Sequence, residues 1–223
     1  MRHVFRFSIL VLVALNAQLS ADDFVGIPNE EFAEHYRAQK GECLCWATCA
    51  EMVLSHQGIT LPADAIVEKI KGYKADETGN HGEMIKATNG IFADENDQKV
   101  MVSGQMVLGD PISTVLYTSL KNQKPIILLY QNGPTIGHAV VITGADVEVN
   151  TSTDKVTVRK WHVFDPYSYR RVADFTQLKG YRLEEDASLV RKEYHPRQNF
   201  SNGRIQIEAG VVTAVIIIEG AEI

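Results

Sequence analysis

The chain has 223 residues, a length that suits one compact domain. Apolar residues make up 45% of it and charged residues 22%, which excludes a wholly disordered chain and predicts a globular protein with a hydrophobic core. The formal net charge of −6 argues against nucleic acid or an anionic lipid surface as an electrostatic partner.

The first 21 residues have the layout of a secretory signal peptide. Arg2 and Arg6 precede the apolar run SILVLVALNA, and cleavage after Ala21 is the best-placed site. The run is shorter than the roughly 20 residues of a comfortable membrane span. We therefore expect a mature chain of residues 22–223 that is secreted or periplasmic and has no stable membrane span. An uncleaved membrane anchor is the alternative.

The next feature is a cluster of cysteines, because Cys43, Cys45 and Cys49 lie within seven positions. In an oxidising compartment this odd number leaves at least one thiol unpaired within the chain. A Cys43–Cys49 disulfide is one alternative. A zinc site is another, but structural zinc sites usually have two spaced ligand pairs and the sequence offers no second pair. We expect neither a metal nor a cofactor.

Residues 45–57 predict a helix that begins with a cysteine. Apolar residues recur along it at spacings of three and four: Ala47, Ala50, Val53 and Leu54. Gly58 supplies a left-handed C-terminal stop. A thiol at a helix N-terminus lies beside unpaired backbone N–H groups and the positive end of the helix dipole, which favour the thiolate. Cys45 is therefore the candidate nucleophile, whereas Cys49 is predicted to be buried as a small apolar side chain.

Gln39 stands six residues before Cys45, and Trp46 and Ala47 follow the cysteine. This Gln-x5-Cys-Trp-Ala pattern resembles the active-site start of papain-like cysteine peptidases. It looks closest to the secreted bacterial C-W-A-type branch, which includes effectors and bacteriocin-processing peptidase domains. The resemblance implies that Cys45 is the nucleophile and that the Gln39 side chain and the Cys45 N–H form an oxyanion hole. The alternative for Gln39 is a solvated position at the end of a helix over residues 29–39.

The resemblance also implies a histidine at the start of a later strand, followed by an asparagine or aspartate. The stretch KPIILLYQNGPTIGHAVVITGAD predicts strands over residues 126–130 and 138–143, with His138 at the start of the second. A further strand, within VTVRKWHVFDPYSY, ends before Asp165. A general base needs a partner that fixes the orientation of its ring, and Asp165 suits that role for His138.

The other predicted helices and strands lie between these motifs in the sequence or after them. Helices are predicted over residues 61–73 and 110–122, the second with Asp110 as its N-cap. The secondary structure of residues 93–109 is ambiguous from the sequence. Further β structure is predicted after Asp165, and its last part, within GRIQIEAGVVTAVIIIE, is a buried strand. The sequence shows no internal repeat, which indicates that residues 22–223 form a single domain.

Together the elements predict an α+β protein of papain-like architecture, in which a helical lobe carrying Cys45 packs on an antiparallel β lobe carrying His138 and Asp165. The predicted function is an exported cysteine peptidase acting on peptide or protein substrates. The same catalytic set also suits acyl transfer, deamidation or cell-wall amide cleavage, because a fold does not fix a substrate. A papain-like module retained only for binding is a third alternative, against which the complete residue set counts.

Overall fold

The computed structural model describes residues 23–134, 137–198 and 204–222, so the predicted signal peptide, residues 1–21, lies outside the described residues. The α-helices within these ranges are α1 (Asn29–Phe32), α2 (Cys45–His56), α3 (Ala63–Lys71), α4 (His81–Ala87) and α5 (Ser113–Lys121), and short 3-10 helices span Ala33–His35 and Ala187–Leu189. The strands are β1 (Asp23–Gly26), β2 (Gly90–Ala93), β3 (Lys99–Leu108), β4 (Ile126–Gln131), β5 (Gly137–Asn150), β6 (Lys155–Phe164), β7 (Tyr169–Ala173), β8 (Tyr181–Glu185), β9 (Arg191–Tyr194), β10 (Arg197–Gln198), β11 (Ile205–Ile207) and β12 (Gly210–Glu222). Of the helices described, none combines the length and the apolar character needed to cross a membrane.

An antiparallel sheet of ten strands, counted over the described ranges, forms the centre of the protein. Its main path runs β2–β3–β12–β4–β5–β6–β9. β1 pairs with the second half of β5, beyond the part that β4 covers. β10 and β11 extend the sheet beside the start of β12, and β7 and β8 form a separate hairpin.

Both faces of the sheet are buried, as the side chains of β4 show. Ile127 and Leu129 belong to a core that contains α2 and α3. Ile126 and Leu128 belong to a second core, on the other face, that contains α5. Since successive side chains of a strand point to opposite faces, one unbroken apolar run supplies both cores.

Helix α2 begins at Cys45, as the sequence predicts, and its predicted apolar face is buried. Trp46, Thr48 and Met52, on its other faces, are buried as well. Gly58 has a φ of 76°, the left-handed conformation predicted to end the helix. Because α2 packs against β5, the fold brings the cysteine segment and the histidine segment together.

The remaining predictions about elements are mostly confirmed. The mixed composition, with a large antiparallel sheet and few helices, agrees with the predicted α+β class. The helices predicted over residues 61–73 and 110–122 are present as α3 and α5. The N-cap assigned to Asp110 is wrong, because α5 begins three residues later with Ile112 at its N-cap. Asp110 instead accepts a hydrogen bond from the Ile205 N–H at 2.6 Å.

Candidate active site

Cys45 occupies the first position of α2 and is half-buried. The N-cap residue, Leu44, makes no side-chain hydrogen bond to the helix. Leu44 therefore supplies no side-chain acceptor for the first N–H groups of α2, and Cys45 lies at the positive end of the helix dipole. This is the environment that the sequence predicts for the nucleophile.

Cys45 and His138 line the same cleft, whose volume is about 350 Å³. Trp46, Met84 and Leu129 contribute apolar surface to its lining. Of the other residues predicted for the site, Asp165 contacts the His138 ring and Gln39 is buried in the segment that leads to α2. A larger cavity of about 480 Å³ lies between α5 and β6, and none of the predicted site residues line it.

His138 is the second residue of β5 and lies opposite Tyr130 of β4. Its Nε2 atom is 2.7 Å from Oδ1 of Asp165, and Cys45 is near enough to the ring to influence its pKa. Burial disfavours the charged ring, but the interactions with Asp165 and Cys45 outweigh burial and raise the pKa of His138 to about 9. At neutral pH the ring is therefore an imidazolium that contacts the Asp165 carboxylate.

Asp165 follows the last residue of β6 and is 1% exposed. Besides contacting His138, its Oδ1 accepts a hydrogen bond from the Tyr167 N–H at 2.8 Å. Its Oδ2 lies 2.6 Å from Nζ of Lys192. Burial would raise the pKa of Asp165, but the bond to His138 and the charge of Lys192 outweigh it and hold that pKa below its usual value.

Lys192 is a site residue that the sequence analysis missed. It lies on β9 opposite Val163 of β6, and this pairing places its ammonium group at Asp165. No motif around Lys192 indicates the contact, because it depends on the register of two strands that are far apart in sequence. The site therefore holds one carboxylate between two cationic side chains.

Gln39 is 1% exposed as a whole residue, and its Nε2 donates to the Gly41 carbonyl at 2.5 Å. Its Oε1 is buried and has no hydrogen-bond partner among the residues that the structure describes. The Gln39 backbone N–H donates to the carbonyl of Pro166 at 2.9 Å, which ties this segment to the residues after Asp165. The alternative of a solvated helix end is wrong, since α1 ends at Phe32 and Gln39 lies in irregular, buried chain.

The other two cysteines differ from Cys45 in their surroundings. Cys49 is fully buried, and burial raises its pKa far above the ordinary value of a thiol. Cys43 lines the cleft, but burial and then the Asp76 carboxylate raise its pKa. All three thiols are free, so the alternative of a Cys43–Cys49 disulfide is wrong. Within the described part of the chain, no group of three or more His, Cys, Asp or Glu side chains could hold a metal ion.

The wall of the cleft opposite the sheet is built around Trp46. Its indole N–H donates to the Glu77 carbonyl at 3.0 Å. A Cβ atom on Gly79 would lie 2.5 Å from the indole, so only glycine permits this approach. Helix α4 follows, with reciprocal hydrogen bonds between Asn80 and Glu83 that form a capping box. The Asn-x-x-Glu spacing could have revealed this helix start, which the sequence analysis overlooked.

A comparison with protein-family models matches residues 30–186 to the Peptidase_C39 like family. The match covers well over half of the chain and includes Gln39, Cys45, His138 and Asp165. A comparison with curated proteins found no match.

Proposed function

Because the chain belongs to the Peptidase_C39 like family, we propose that it is an exported cysteine peptidase that hydrolyses peptide bonds with Cys45 as its nucleophile. Membership of the family indicates cysteine peptidase activity. One arrangement carries the assignment of residues: the Asp165 carboxylate holds the ring of His138, and His138 lines the same cleft as Cys45. Gln39 is proposed as the side-chain donor of the oxyanion hole.

The first half of the reaction forms a thioester. The Cys45 sulfur bonds to the carbonyl carbon of the substrate, and the electron pair of the C=O double bond moves to the oxygen. The Cys45 N–H and the Nε2–H of Gln39 that is not bonded to Gly41 stabilise the resulting oxyanion. As the tetrahedral species collapses, the C–N bond breaks and His138 transfers its Nδ1 proton to the leaving amine.

The second half releases the acid product. Neutral His138 accepts a proton from a water molecule, whose oxygen attacks the thioester carbon. The C–S bond then breaks, and the thiolate and the imidazolium are restored. Asp165 supports both halves because its hydrogen bond fixes the ring orientation and stabilises the imidazolium.

Export of the protein is supported by the composition of its first 21 residues, with two arginines before a short apolar run. N-terminal sequencing of protein recovered from the periplasm or the medium tests this part of the proposal. The expected mature chain begins at Asp22. Recovered protein that still begins at Met1 would contradict cleavage.

The nucleophile is tested by labelling the purified protein with an epoxide inhibitor and mapping the adduct by mass spectrometry. We expect one adduct, on Cys45, and turnover of casein-derived peptides. Cys45→Ala should lose both, whereas the matched control Cys49→Ala should keep its label, because burial makes that thiol unreactive. Labelling that survives Cys45→Ala but disappears in Cys43→Ala would move the nucleophile. Labelling of Cys45 with deamidated or transferred products, and no cleavage, would favour the alternative acyl chemistry.

A further inference from the structure

The segment between Gln39 and α2 is held by one carboxylate from a distant loop. Asp76, between α3 and α4, accepts the Glu42 N–H at Oδ2, 2.9 Å away, and the Cys43 N–H at Oδ1, 2.8 Å away. Two successive backbone N–H groups thus point at the same carboxylate, an arrangement that favours an anion. The Oε1 of Glu42 also accepts hydrogen bonds from Lys179 and Tyr181, but these contacts are solvent-exposed and contribute less to the stability of the segment.

Gly41 lies at the centre of this arrangement. A Cβ atom on Gly41 would lie 2.4 Å from Oδ1 of Asp76, so the carboxylate approaches closely only because residue 41 is glycine. The Gly41 carbonyl accepts from Nε2 of Gln39. A carbonyl can pair only with the NH₂ end of an amide, so the position of this carbonyl decides which way the Gln39 amide faces.

We propose that Asp76 is a positioning residue for the oxyanion donor. Its carboxylate holds the Gly41–Cys43 turn, the turn fixes the Gly41 carbonyl, and that carbonyl fixes the Gln39 amide with one N–H left for the substrate oxyanion. The proposal rests on the proposed function, which gives Gln39 that role. Asp76 itself contacts neither the Cys45 sulfur nor the His138 ring.

The first test compares turnover with simple thiol alkylation in Asp76→Ala. Asp76→Ala removes two hydrogen bonds, so the conformation of the Gly41–Cys43 turn that orients Gln39 should become a minor one. Hydrolysis of casein-derived peptides should therefore fall about tenfold. Alkylation of Cys45 by iodoacetamide builds no oxyanion and should stay within a few-fold of wild type. The double variant Gln39→Ala/Asp76→Ala should be no slower than Gln39→Ala alone, because Asp76 acts only through Gln39.

A matched control exists in the β2–β3 turn. Oδ1 of Asp94 accepts the backbone N–H groups of Asn96 and Gln98 at 2.8 and 2.7 Å. Asp94→Ala therefore removes the same number of carboxylate–backbone bonds from a loop outside the cleft. It should change thermal stability to a similar extent and leave turnover unchanged.

A second measurement does not need activity. In ¹⁵N–¹H spectra, the side-chain amide protons of Gln39 should exchange slowly in the wild type and in Asp94→Ala, and faster in Asp76→Ala. If the wild-type protein shows no turnover that depends on Cys45, the proposed function is overturned. The exchange of the Gln39 amide protons can still be measured in that case. Unchanged exchange in Asp76→Ala, equal losses of turnover and alkylation, or a double variant slower than Gln39→Ala overturns the role of Asp76.

Discussion

The ammonium group of Lys192 lies 2.6 Å from Oδ2 of Asp165, the oxygen that the ring of His138 does not contact. The Asp165 side chain is 2% exposed, so an ionised carboxylate here depends on its partners. One oxygen faces a ring whose charge changes during the proposed reaction. The other faces a lysine whose charge does not need to change.

We expect Lys192→Met to lower kcat/KM about threefold to tenfold at neutral pH, the effect of about one charged hydrogen bond. Because Lys192 lowers the pKa of Asp165, its removal should also shift the acid limb of the pH–activity profile to higher pH. Lys192→Arg keeps the charge and should keep the limb in place. A limb that does not move in Lys192→Met would assign the lysine a purely structural role.

We expect Asp165→Asn to be milder than Asp165→Ala, with losses of kcat/KM of about tenfold and about a hundredfold. The asparagine oxygen can still accept a hydrogen bond from the His138 ring, whereas alanine leaves the ring without a partner. Steady-state kinetics with casein-derived peptides measures both. Full activity in the two variants would place the orienting residue elsewhere.

We expect Gln39→Ala to lower peptide turnover by about 10²–10³, the typical contribution of one oxyanion donor. The alkylation rate of Cys45 should remain within a few-fold of wild type. Gln39→Glu should turn over more slowly still, because a carboxylate repels the oxyanion. Equal losses in turnover and alkylation would show that Gln39 supports the fold or the thiolate and is not an oxyanion donor.

The pKa of about 9 for His138 predicts a pH dependence of stability as well as of activity. An unfolded histidine has a pKa near 6.5, so the folded state binds this proton more tightly. The stabilisation is complete below about pH 6.5 and is lost as pH rises through about 9, a change on the order of 3 kcal/mol. Chemical denaturation from pH 6 to 10 should show the decline in the wild type, and His138→Gln should remove it. Activity should fall over the same upper range, because the leaving amine loses its proton donor.

The parts of the site that the sequence predicts are those with a local pattern. An apolar helical repeat begins at Cys45 and a β-branched run follows His138, and the resemblance to papain-like peptidases implies a role for each. A strand pattern ends at Asp165, before Pro166, and the resemblance implies an asparagine or aspartate after the histidine. Each of these signals lies within a few residues of the side chain concerned, and the structure has α2, β5 and β6 at these places.

The parts that could not be predicted depend on contacts between distant segments. Asp76 is 33 residues from the Cys43 N–H it accepts, and Asp110, assigned as an N-cap, bonds to an N–H 95 residues away. Residues 93–109, whose secondary structure is ambiguous from the sequence, contain β3, and Gly104 lies inside this strand. A Cβ at Gly104 would lie 2.2 Å from Thr88, so a glycine is needed here because the strand and Thr88 approach closely. No local sequence pattern shows this approach.

Strand β12 is the last strand in chain order, yet it lies in the middle of the sheet. It hydrogen-bonds to β3 on one side and to β4 on the other, and within the described residues β2 and β3 reach the rest of the sheet only through it. During synthesis the two halves of the sheet therefore cannot join until β12 has emerged, and contacts of such long sequence separation fold slowly. We expect a chain that stops at residue 209 to lack native circular dichroism and inhibitor binding. A protein proposed to be exported would thus complete its central sheet only after β12 becomes available.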